Sequence, residues 1–185
     1  MIANVTVCNL HQMLQTEFIE SNNIDSVLSI IDPQRAGVIE AYHTHLKDKK
    51  IVTKSIYFYD VCDKDCRLSP SFECIVKCYN FLKDLHLNNK HHNLLIHCYA
   101  GRCRSTAIAL IALYLKTGNE LDSINELYKI RSKASPNALI LEYIDQLLNT
   151  QFENYVYQFL FKNKKVDLSR NDFYTNLIKT KTLPF

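Results

Sequence analysis

The segment from residue 93 to residue 118 constrains the fold more than any other part of the chain. It begins with the short apolar run Asn93–Cys98, whose length and composition predict a buried strand. The run from Arg104 to Gly118 is apolar on almost every side, which is typical of a helix buried in the core, and Gly118 is suited to end it. Only a short turn separates the two runs, so a buried strand is predicted to lead directly into a buried helix.

Similar patterns occur along the rest of the chain. Three more runs rich in β-branched or aromatic residues are predicted to be strands: Val5–Cys8, Ser26–Ile31 and Ser55–Val61. Helical patterns are found at residues 70–86, 120–134 and 135–149. Strands alternate with helices at first, and helices dominate later. This order predicts an α/β fold with a mainly parallel central sheet flanked by helices and a helical C-terminal half.

The length of 185 residues suits one domain with a core large enough to fold alone. We assign residues 1–149 to this domain. Residues 150–185 are interpreted as a C-terminal extension of unknown role, partly helical at about residues 151–161.

Composition excludes several classes of function. The net charge of +3 is too small to indicate a nucleic-acid partner, and it would not repel an anionic substrate. No run of eighteen apolar residues predicts a membrane span, and the first residues do not resemble a secretory signal. The seven cysteines do not have the spacing of a disulfide framework. We therefore expect a cytoplasmic protein, whose oligomeric state the sequence leaves open.

The turn between the strand and the helix, "CYAGRCR", has the properties of an anion-binding loop. The first amides of a helix have no partner within the helix and lie at the positive end of its dipole. Gly101 would allow a positive φ or a close approach of the backbone to an anion. Arg104 would supply a planar fork of donors for two phosphate oxygens. The turn is therefore predicted to bind a phosphate group.

Cys98 would lie at the centre of this positive field, which favours thiolate over thiol. A thiolate beneath a bound phosphoryl group is a nucleophile directed at phosphorus. Taken alone, a cysteine at the end of a strand is more often a buried core residue. Gly101, Arg104 and Ser105 in register with it make the nucleophile the preferred interpretation.

The segment "HCYAGRCRS" resembles the His-Cys-x-x-Gly-x-x-Arg-Ser signature of the protein tyrosine phosphatase superfamily, in the form typical of its dual-specificity branch. The similarity extends to the helix after the signature and to "IR" followed by "SPNALILEYIDQLL". The N-terminal strands look like those of short bacterial members. The resemblance covers roughly Val5 to Asn149 and implies the fold of that branch.

The resemblance also implies a two-step mechanism that needs no metal and no cofactor. Cys98 would form a cysteinyl-phosphate, Ser105 would assist its hydrolysis, and His97 would orient the loop and favour the thiolate through hydrogen bonds. The residues implied to bind the substrate phosphate are Tyr99, Ala100, Gly101, Arg102, Cys103 and Arg104.

The family requires an aspartic acid that protonates the leaving oxygen. Asp60, Asp63 and Asp65 are 38, 35 and 33 residues before Cys98. Asp60 would share one face of its strand with Ile56 and end that strand, which favours it. Asp63 fits the spacing of the dual-specificity branch slightly better, so Asp63 and then Asp65 stay open as alternatives.

Two further cysteine features have competing interpretations. Cys103 precedes Arg104 and would be a redox partner that traps oxidised Cys98 as a disulfide, or simply a small residue in the loop. The array Cys62, Cys66, Cys74 and Cys78 could suggest zinc, but its spacing is not a standard one. Because Cys74 and Cys78 fall within an apolar helix pattern, we predict no metal site.

The predicted function is that of a phosphatase acting on phosphotyrosine and/or phosphoserine/threonine in proteins. Arg102 adds a second cation to the loop, a feature shared with phosphoinositide phosphatases of the superfamily. Those enzymes also tend to have a basic residue directly after the cysteine, where this chain has Tyr99. A phosphoinositide or other polyphosphate is therefore the alternative substrate. A third alternative is a module that binds phosphoproteins with little or no turnover.

Overall fold

Four parallel strands form the central sheet in the computed structural model of this protein, which describes residues 1–162. The strands, in sheet order, are β1 (Ile2–Asn9), β4 (His92–Cys98), β2 (Ser26–Ile31) and β3 (Val52–Tyr57). All three pairings between neighbours are parallel. The predicted α/β fold with a parallel central sheet is confirmed, and each of the four predicted strands overlaps one of these strands.

The third strand differs from its prediction, Ser55–Val61. β3 begins three residues earlier, at Val52, and ends at Tyr57. The amide of Phe58 still donates to Ile31 O (3.1 Å), but the amide of Tyr59 donates to Leu68 O (2.8 Å). The chain therefore leaves the sheet before Asp60, which lies in a loop and does not end the strand.

Helices flank the sheet. Within residues 1–162 they are α1 (Leu10–Met13), α2 (Thr16–Ser21), α3 (Ala36–Asp48), α4 (Phe72–Leu87), α5 (Arg104–Thr117), α6 (Glu120–Ile130), α7 (Ala138–Leu148) and α8 (Phe152–Lys162). A 3₁₀ turn, Pro33–Arg35, precedes α3.

Local sequence signals set several helix ends. The side chains of Ser71, Asn119 and Asn137 each accept a hydrogen bond from an amide in the first turn of α4, α6 and α7. Gly118 ends α5 with a φ of +67°. The predicted helices at residues 120–134 and 135–149 are α6 and α7, but both are shorter because residues 131–137 form a loop that contacts the β4–α5 turn.

Apolar side chains cover both faces of the sheet. On one face, α1 to α3 pack in a cluster that includes Val27 and Ile31 of β2. On the other face, α4 to α8 pack in a larger cluster that includes Leu28 and Ile30. Residues 104–113 of α5 are all buried, as predicted for a helix that is apolar on almost every side. The β4–α5 unit is therefore held rigidly at the centre of the molecule.

The predicted helix at about residues 151–161 is α8, which packs on the larger cluster through Phe152, Val156 and Leu160. Asp145 of α7 fixes its start by accepting hydrogen bonds from the amides of Phe152 (2.7 Å) and Glu153 (3.0 Å). The assignment of a domain at residues 1–149 and an extension at 150–185 stays a prediction, and residues 163–185 lie outside the described residues.

No helix in residues 1–162 is long and apolar enough to cross a membrane.

Candidate active site

The predicted anion-binding turn connects β4 to α5 at the carboxyl edge of the sheet. Cys98 is the last residue of β4 and is 1% exposed. Cys103 is the N-cap residue of α5, and Arg104 is the first residue of that helix. The amino terminus of a fourteen-residue helix therefore faces the same turn as the Cys98 thiol.

All five carbonyl groups of residues 99–103 accept hydrogen bonds from structure outside the loop. The donors are Leu10 N to Tyr99 O (3.1 Å), Arg131 Nη2 to Ala100 O (3.4 Å), Arg131 Nε to Gly101 O (3.0 Å), Ser135 N to Arg102 O (2.9 Å) and Asn137 N to Cys103 O (3.3 Å). Every peptide bond in the described chain is trans, so the C=O of one residue and the N–H of the next lie on opposite sides of the peptide. The amides of residues 100–104 therefore face the inner side of the loop.

These inner amides have no backbone partner. Among the described residues, no amide of residues 99–104 donates to a backbone carbonyl. Amide donors that have no backbone acceptor and lie at the amino terminus of a helix are available to bind an anion.

Gly101 allows the loop to pass directly beneath the end of β1. Its φ is +65°, in the left-handed region that favours glycine. A Cβ atom at this position would lie 2.4 Å from the carbonyl oxygen of Cys8 and 2.7 Å from the amide nitrogen of Asn9. Both atoms belong to the backbone, so neither can move aside without shifting β1.

Arg104 is buried, with 2% exposure, and is held by two hydrogen bonds from Nη1. One goes to Asp32 Oδ1 (2.9 Å) and the other to Phe58 O (2.7 Å). Its Nε is also buried but has no hydrogen-bond partner among the described residues. An unsatisfied donor on a buried guanidinium indicates a position for an additional acceptor.

The structure brings Asp60 to the loop and leaves the two alternative aspartates away from it. Asp60 Oδ2 lies 3.9 Å from Arg104 Nε, and Asp60 Oδ1 accepts from Asn137 Nδ2 (2.9 Å). Asp63 and Asp65 are exposed, and Asp63 Oδ1 accepts from the amide of Asp65 (2.9 Å). Among the described residues, neither forms a hydrogen bond or an ion pair with residues 98–104.

Ser105 lies next to Cys98 in the hydrogen-bond pattern, and His97 is its neighbour in the chain. Ser105 Oγ lies 3.2 Å from Cys98 Sγ, and both residues are buried. His97 Nε2 lies 2.6 Å from Ser29 Oγ, so this ring nitrogen bonds away from the loop. Burial lowers the pKa of His97 to about 3, and its imidazole is therefore neutral at physiological pH.

The surroundings of the Cys103 thiol favour its protonated form. Burial, followed by the negative charge of Asp60, raises its pKa to about 12. Trapping oxidised Cys98 requires a Cys103 thiolate, which the Asp60 charge disfavours. The redox role assigned to Cys103 stays a prediction.

Two exposed arginines lie at the outer surface of the loop, Arg35 beside it and Arg102 within it. The guanidinium of Arg35 lies 4.6 Å from the ring centroid of Tyr99, which is 52% exposed. Arg102 Nε donates to Lys133 O at 3.4 Å. Within residues 1–162, no carboxylate forms an ion pair with either arginine.

The four cysteines considered for zinc do not assemble into a site. Cys78 of α4 is buried in the larger apolar cluster, whereas Cys62, Cys66 and Cys74 are partly buried. No group of three or more potential metal ligands occurs in the described part of the chain.

Sequence reasoning missed three residues that build this site. Asp32 holds Arg104, Arg131 fixes two loop carbonyls, and Asn137 joins the loop to Asp60. Arg131 and Asn137 fell within segments that resembled the family but had no assigned role. Asp32 ends the run "SVLSIID", and its position after a buried parallel strand was an available signal, because such strand ends converge at one edge of the sheet.

No protein-family model and no curated protein matches the sequence, whereas solved structures do match the fold. DUSP15 is 21% identical, with 77% of this chain and 81% of that chain covered at a TM-score of 0.56. The Yvh1 phosphatase domain from Chaetomium thermophilum is 18% identical, with 78% and 90% covered at a TM-score of 0.56. PTPMT1 is 18% identical, with 86% and 95% covered at a TM-score of 0.58, and it has also been solved in complex with PI(5)P.

These similarities define the class of fold. The chain has the fold of the dual-specificity phosphatases within the cysteine-dependent protein tyrosine phosphatase superfamily, as its signature predicted.

Proposed function

We propose that this protein is a cysteine-dependent phosphatase that hydrolyses phosphotyrosine and/or phosphoserine/threonine in proteins through a cysteinyl-phosphate intermediate. The observation that carries the proposal is the loop of residues 99–103, whose five carbonyls are bonded outward and whose amides are free on the inner side next to Cys98. A ring of amide donors, together with the Arg104 guanidinium, complements the oxygens of a phosphoryl group.

In the first step, Cys98 Sγ attacks phosphorus. A sulfur–phosphorus bond forms, and the bond from phosphorus to the leaving oxygen breaks. Arg104 and the amides of residues 99–104 stabilise the charge that develops on the other phosphoryl oxygens. Asp60, in the loop after β3, donates a proton to the leaving oxygen.

In the second step, water attacks phosphorus and the Cys98 thiolate leaves. Ser105 Oγ, 3.2 Å from Cys98 Sγ, donates a hydrogen bond to the departing thiolate. The positive end of the α5 dipole stabilises the same negative charge. Inorganic phosphate is released, and the free thiolate is regenerated.

The experiment that tests this proposal is turnover of an aryl phosphate by wild type, Cys98→Ser and Arg104→Lys. Cys98→Ser should abolish turnover but retain binding of phosphate or vanadate, because the amides and Arg104 remain. Arg104→Lys should be nearly as inactive, since a point charge cannot replace the planar fork. A rate within about tenfold of wild type for either variant would contradict the mechanism. Binding without turnover in wild type would favour a phosphoprotein-binding module.

A phosphoinositide or other polyphosphate is the second candidate substrate. Arg35 and Arg102 support it, because both are exposed beside the loop and neither is paired with a carboxylate within residues 1–162. The similarity to PTPMT1, solved with PI(5)P, supports the same candidate only at the level of fold. Phosphotyrosine peptides, phosphothreonine peptides and phosphoinositides, compared in one panel with vanadate as inhibitor, distinguish these substrates.

We also propose a cytoplasmic location. All seven cysteines, including the nucleophile, are free thiols, which suits a reducing compartment. Fractionation of cells that express a tagged full-length protein tests this assignment.

A further inference from the structure

A chain of buried hydrogen bonds leads away from the proposed nucleophile through His97. His97 Nε2 lies 2.6 Å from Ser29 Oγ, and Ser29 Oγ lies 2.8 Å from His43 Nε2. His43 Nδ1 in turn lies 3.1 Å from Ser55 Oγ. His97, Ser29 and His43 are at most 2% exposed. The mechanism above uses none of these residues, and the family resemblance implies a role only for His97.

The sheet register explains how these residues meet. Ser29 of β2 is the register partner of His97 on β4 and of Ser55 on β3. His43 of α3 bonds to both serines. The surrounding face of the sheet is apolar and includes Val27 and Ile31. Burying a polar row in such a core is unfavourable unless every group is hydrogen-bonded, whereas apolar residues would pack without that requirement.

Counting protons shows that the two imidazoles are coupled. Burial lowers the pKa of His43 to about 4, as it does for His97, so each ring is neutral and carries one proton. The Ser29 hydroxyl has one proton, which it can donate to only one of the two Nε2 atoms, and it must accept from the other. If His97 carries its proton on Nδ1, His43 must therefore carry its proton on Nε2. If His97 instead carries its proton on Nε2, His43 must carry its proton on Nδ1.

The surroundings of His97 suit one of these two assignments. Burial is the main influence on His97, and the Cys98 backbone acts against it by raising the pKa of the ring. Because Nε2 faces Ser29, the nitrogen available to the Cys98 backbone is Nδ1, which is buried and forms no hydrogen bond of standard geometry within residues 1–162. A proton on Nδ1 would let this nitrogen donate to the Cys98 carbonyl, whereas the reverse assignment leaves it without a donor. The matching arrangement has Ser55 donating to His43 Nδ1, His43 Nε2–H donating to Ser29, and Ser29 donating to His97 Nε2.

We propose that Ser29 and His43 are positioning residues that hold His97 in its Nδ1–H tautomer and thereby orient the backbone of Cys98 and favour its thiolate. The link to catalysis rests on the phosphatase function proposed above. The tautomer and the reactivity of Cys98 do not depend on turnover, so they can be tested even if that function is wrong.

The first test is nitrogen-15 NMR of the wild-type protein, in which two-bond couplings identify the protonated nitrogen of each histidine ring. We expect Nδ1–H for His97 and Nε2–H for His43. Nε2–H on His97 would overturn the proposal, and this measurement needs no variant.

The second test is the pH dependence of Cys98 alkylation by iodoacetamide, followed by mass spectrometry. Ser29→Ala and His43→Leu should move the midpoint upward by roughly 0.5–1 pH unit, as expected for the loss of one hydrogen bond. His43→Gln should stay close to wild type, because its side-chain amide can still donate to Ser29. If the enzyme turns over, Ser29→Ala should lower kcat/KM by roughly threefold to tenfold.

Ser26→Ala is the matched control. Ser26 is equally buried on β2, and its Oγ lies 2.8 Å from His92 Nδ1, but this pair is at the opposite end of the strand from Cys98. Ser26→Ala should leave the alkylation midpoint unchanged. An unchanged midpoint in Ser29→Ala, or an equal shift in Ser26→Ala, would overturn the proposal. The hydrogen bonds that join His97, Ser29, His43 and Ser55 would then contribute to packing alone.

Discussion

Two carboxylates at the site differ in how they contact Arg104. Asp32 accepts a hydrogen bond from Nη1 at 2.9 Å, whereas Asp60 lies 3.9 Å from Nε without a hydrogen bond. Asp32 therefore fixes the guanidinium. Asp60 is held from its other side by Asn137, which leaves its second oxygen directed towards the loop. This difference supports Asp60 as the general acid and Asp32 as the residue that orients the arginine.

Asp60→Asn should lower the rate with poor leaving groups by roughly 10²–10⁴, because the leaving oxygen would no longer be protonated. The loss should be larger for phenyl phosphate than for p-nitrophenyl phosphate, whose leaving group needs less protonation. The basic limb of the pH–rate profile should also disappear. Steady-state kinetics on the two esters measure both effects.

Asp63→Asn is the control for this prediction. The new side chain keeps the oxygen that accepts from the amide of Asp65, so the loop should fold as before. Its rate should equal that of wild type. The opposite pattern, with Asp63→Asn impaired and Asp60→Asn active, would transfer the acid role to Asp63.

Apart from Asp60, which was chosen by its spacing from Cys98 and its place after a strand, single residues were predictable from sequence only where a local pattern contained them. Cys98, Gly101, Arg104 and Ser105 fall within one nine-residue segment with a recognisable strand and helix on either side. Asp32 lies 72 residues before Arg104, to which it is hydrogen-bonded. Asn137 lies 77 residues after Asp60, to which it is hydrogen-bonded. Such contacts depend on the tertiary fold, which no local spacing encodes.

At the scale of secondary-structure elements, the loop of residues 99–103 is held on three sides. The end of β1 lies directly beside Gly101, and Arg131 after α6 donates to two loop carbonyls. The amide of Asn137, at the start of α7, donates to Cys103 O. The free amides on the inner side are a consequence of these outer contacts. We therefore expect the loop to be preorganised before any anion binds.

Alanine substitutions at the three glycines of the chain distinguish the effect of backbone strain from the effect of steric collision. Gly101→Ala introduces both, so it should abolish most turnover and destabilise the fold by more than about 2 kcal/mol. Gly118 has a φ of +67°, but no atom lies within 4 Å of a Cβ added there. Gly118→Ala should therefore lower the free energy of unfolding by roughly 1–2 kcal/mol and retain activity. Gly37→Ala has neither problem and should be neutral or more stable by up to about 1 kcal/mol. Urea unfolding and aryl-phosphate turnover measure the series.

Equal losses for Gly101→Ala and Gly118→Ala would contradict the close contact with β1. An active Gly101→Ala would contradict the importance of the loop shape.

Secondary-structure elements were predictable where burial and local signals agreed. β2 coincides with its predicted range because all six residues are buried and β-branched or small residues dominate it. β3 was displaced because it lies at the edge of the sheet, where Val52 is exposed and the alternation of apolar residues is weak. The run of aromatic residues from Tyr57 to Tyr59 resembled a strand, but a backbone hydrogen bond to Leu68 turns it out of the sheet.

At the scale of the whole molecule, the parallel sheet explains why the residues of the candidate site converge. Asp32, Asp60 and Cys98 all lie at or just after the carboxyl ends of β2, β3 and β4. Parallel strands present these ends at a single edge, which is where α/β folds bind ligands. The α/β class, with its parallel sheet and helical C-terminal half, was predictable from the alternation of strands and helices. The strand order was not, because pairing between distant strands has no local signature.

The central claim is that Cys98 forms a covalent phosphate ester during turnover, and trapping that intermediate tests it most directly. The enzyme would be mixed rapidly with a radiolabelled aryl phosphate and quenched in neutral denaturant, which preserves a sulfur–phosphorus bond, before peptide mapping. We predict label on Cys98, more of it in Ser105→Ala because the thiolate leaves more slowly, and none in Cys98→Ser. Turnover without a labelled protein, or label on any residue other than Cys98, would contradict the proposed mechanism.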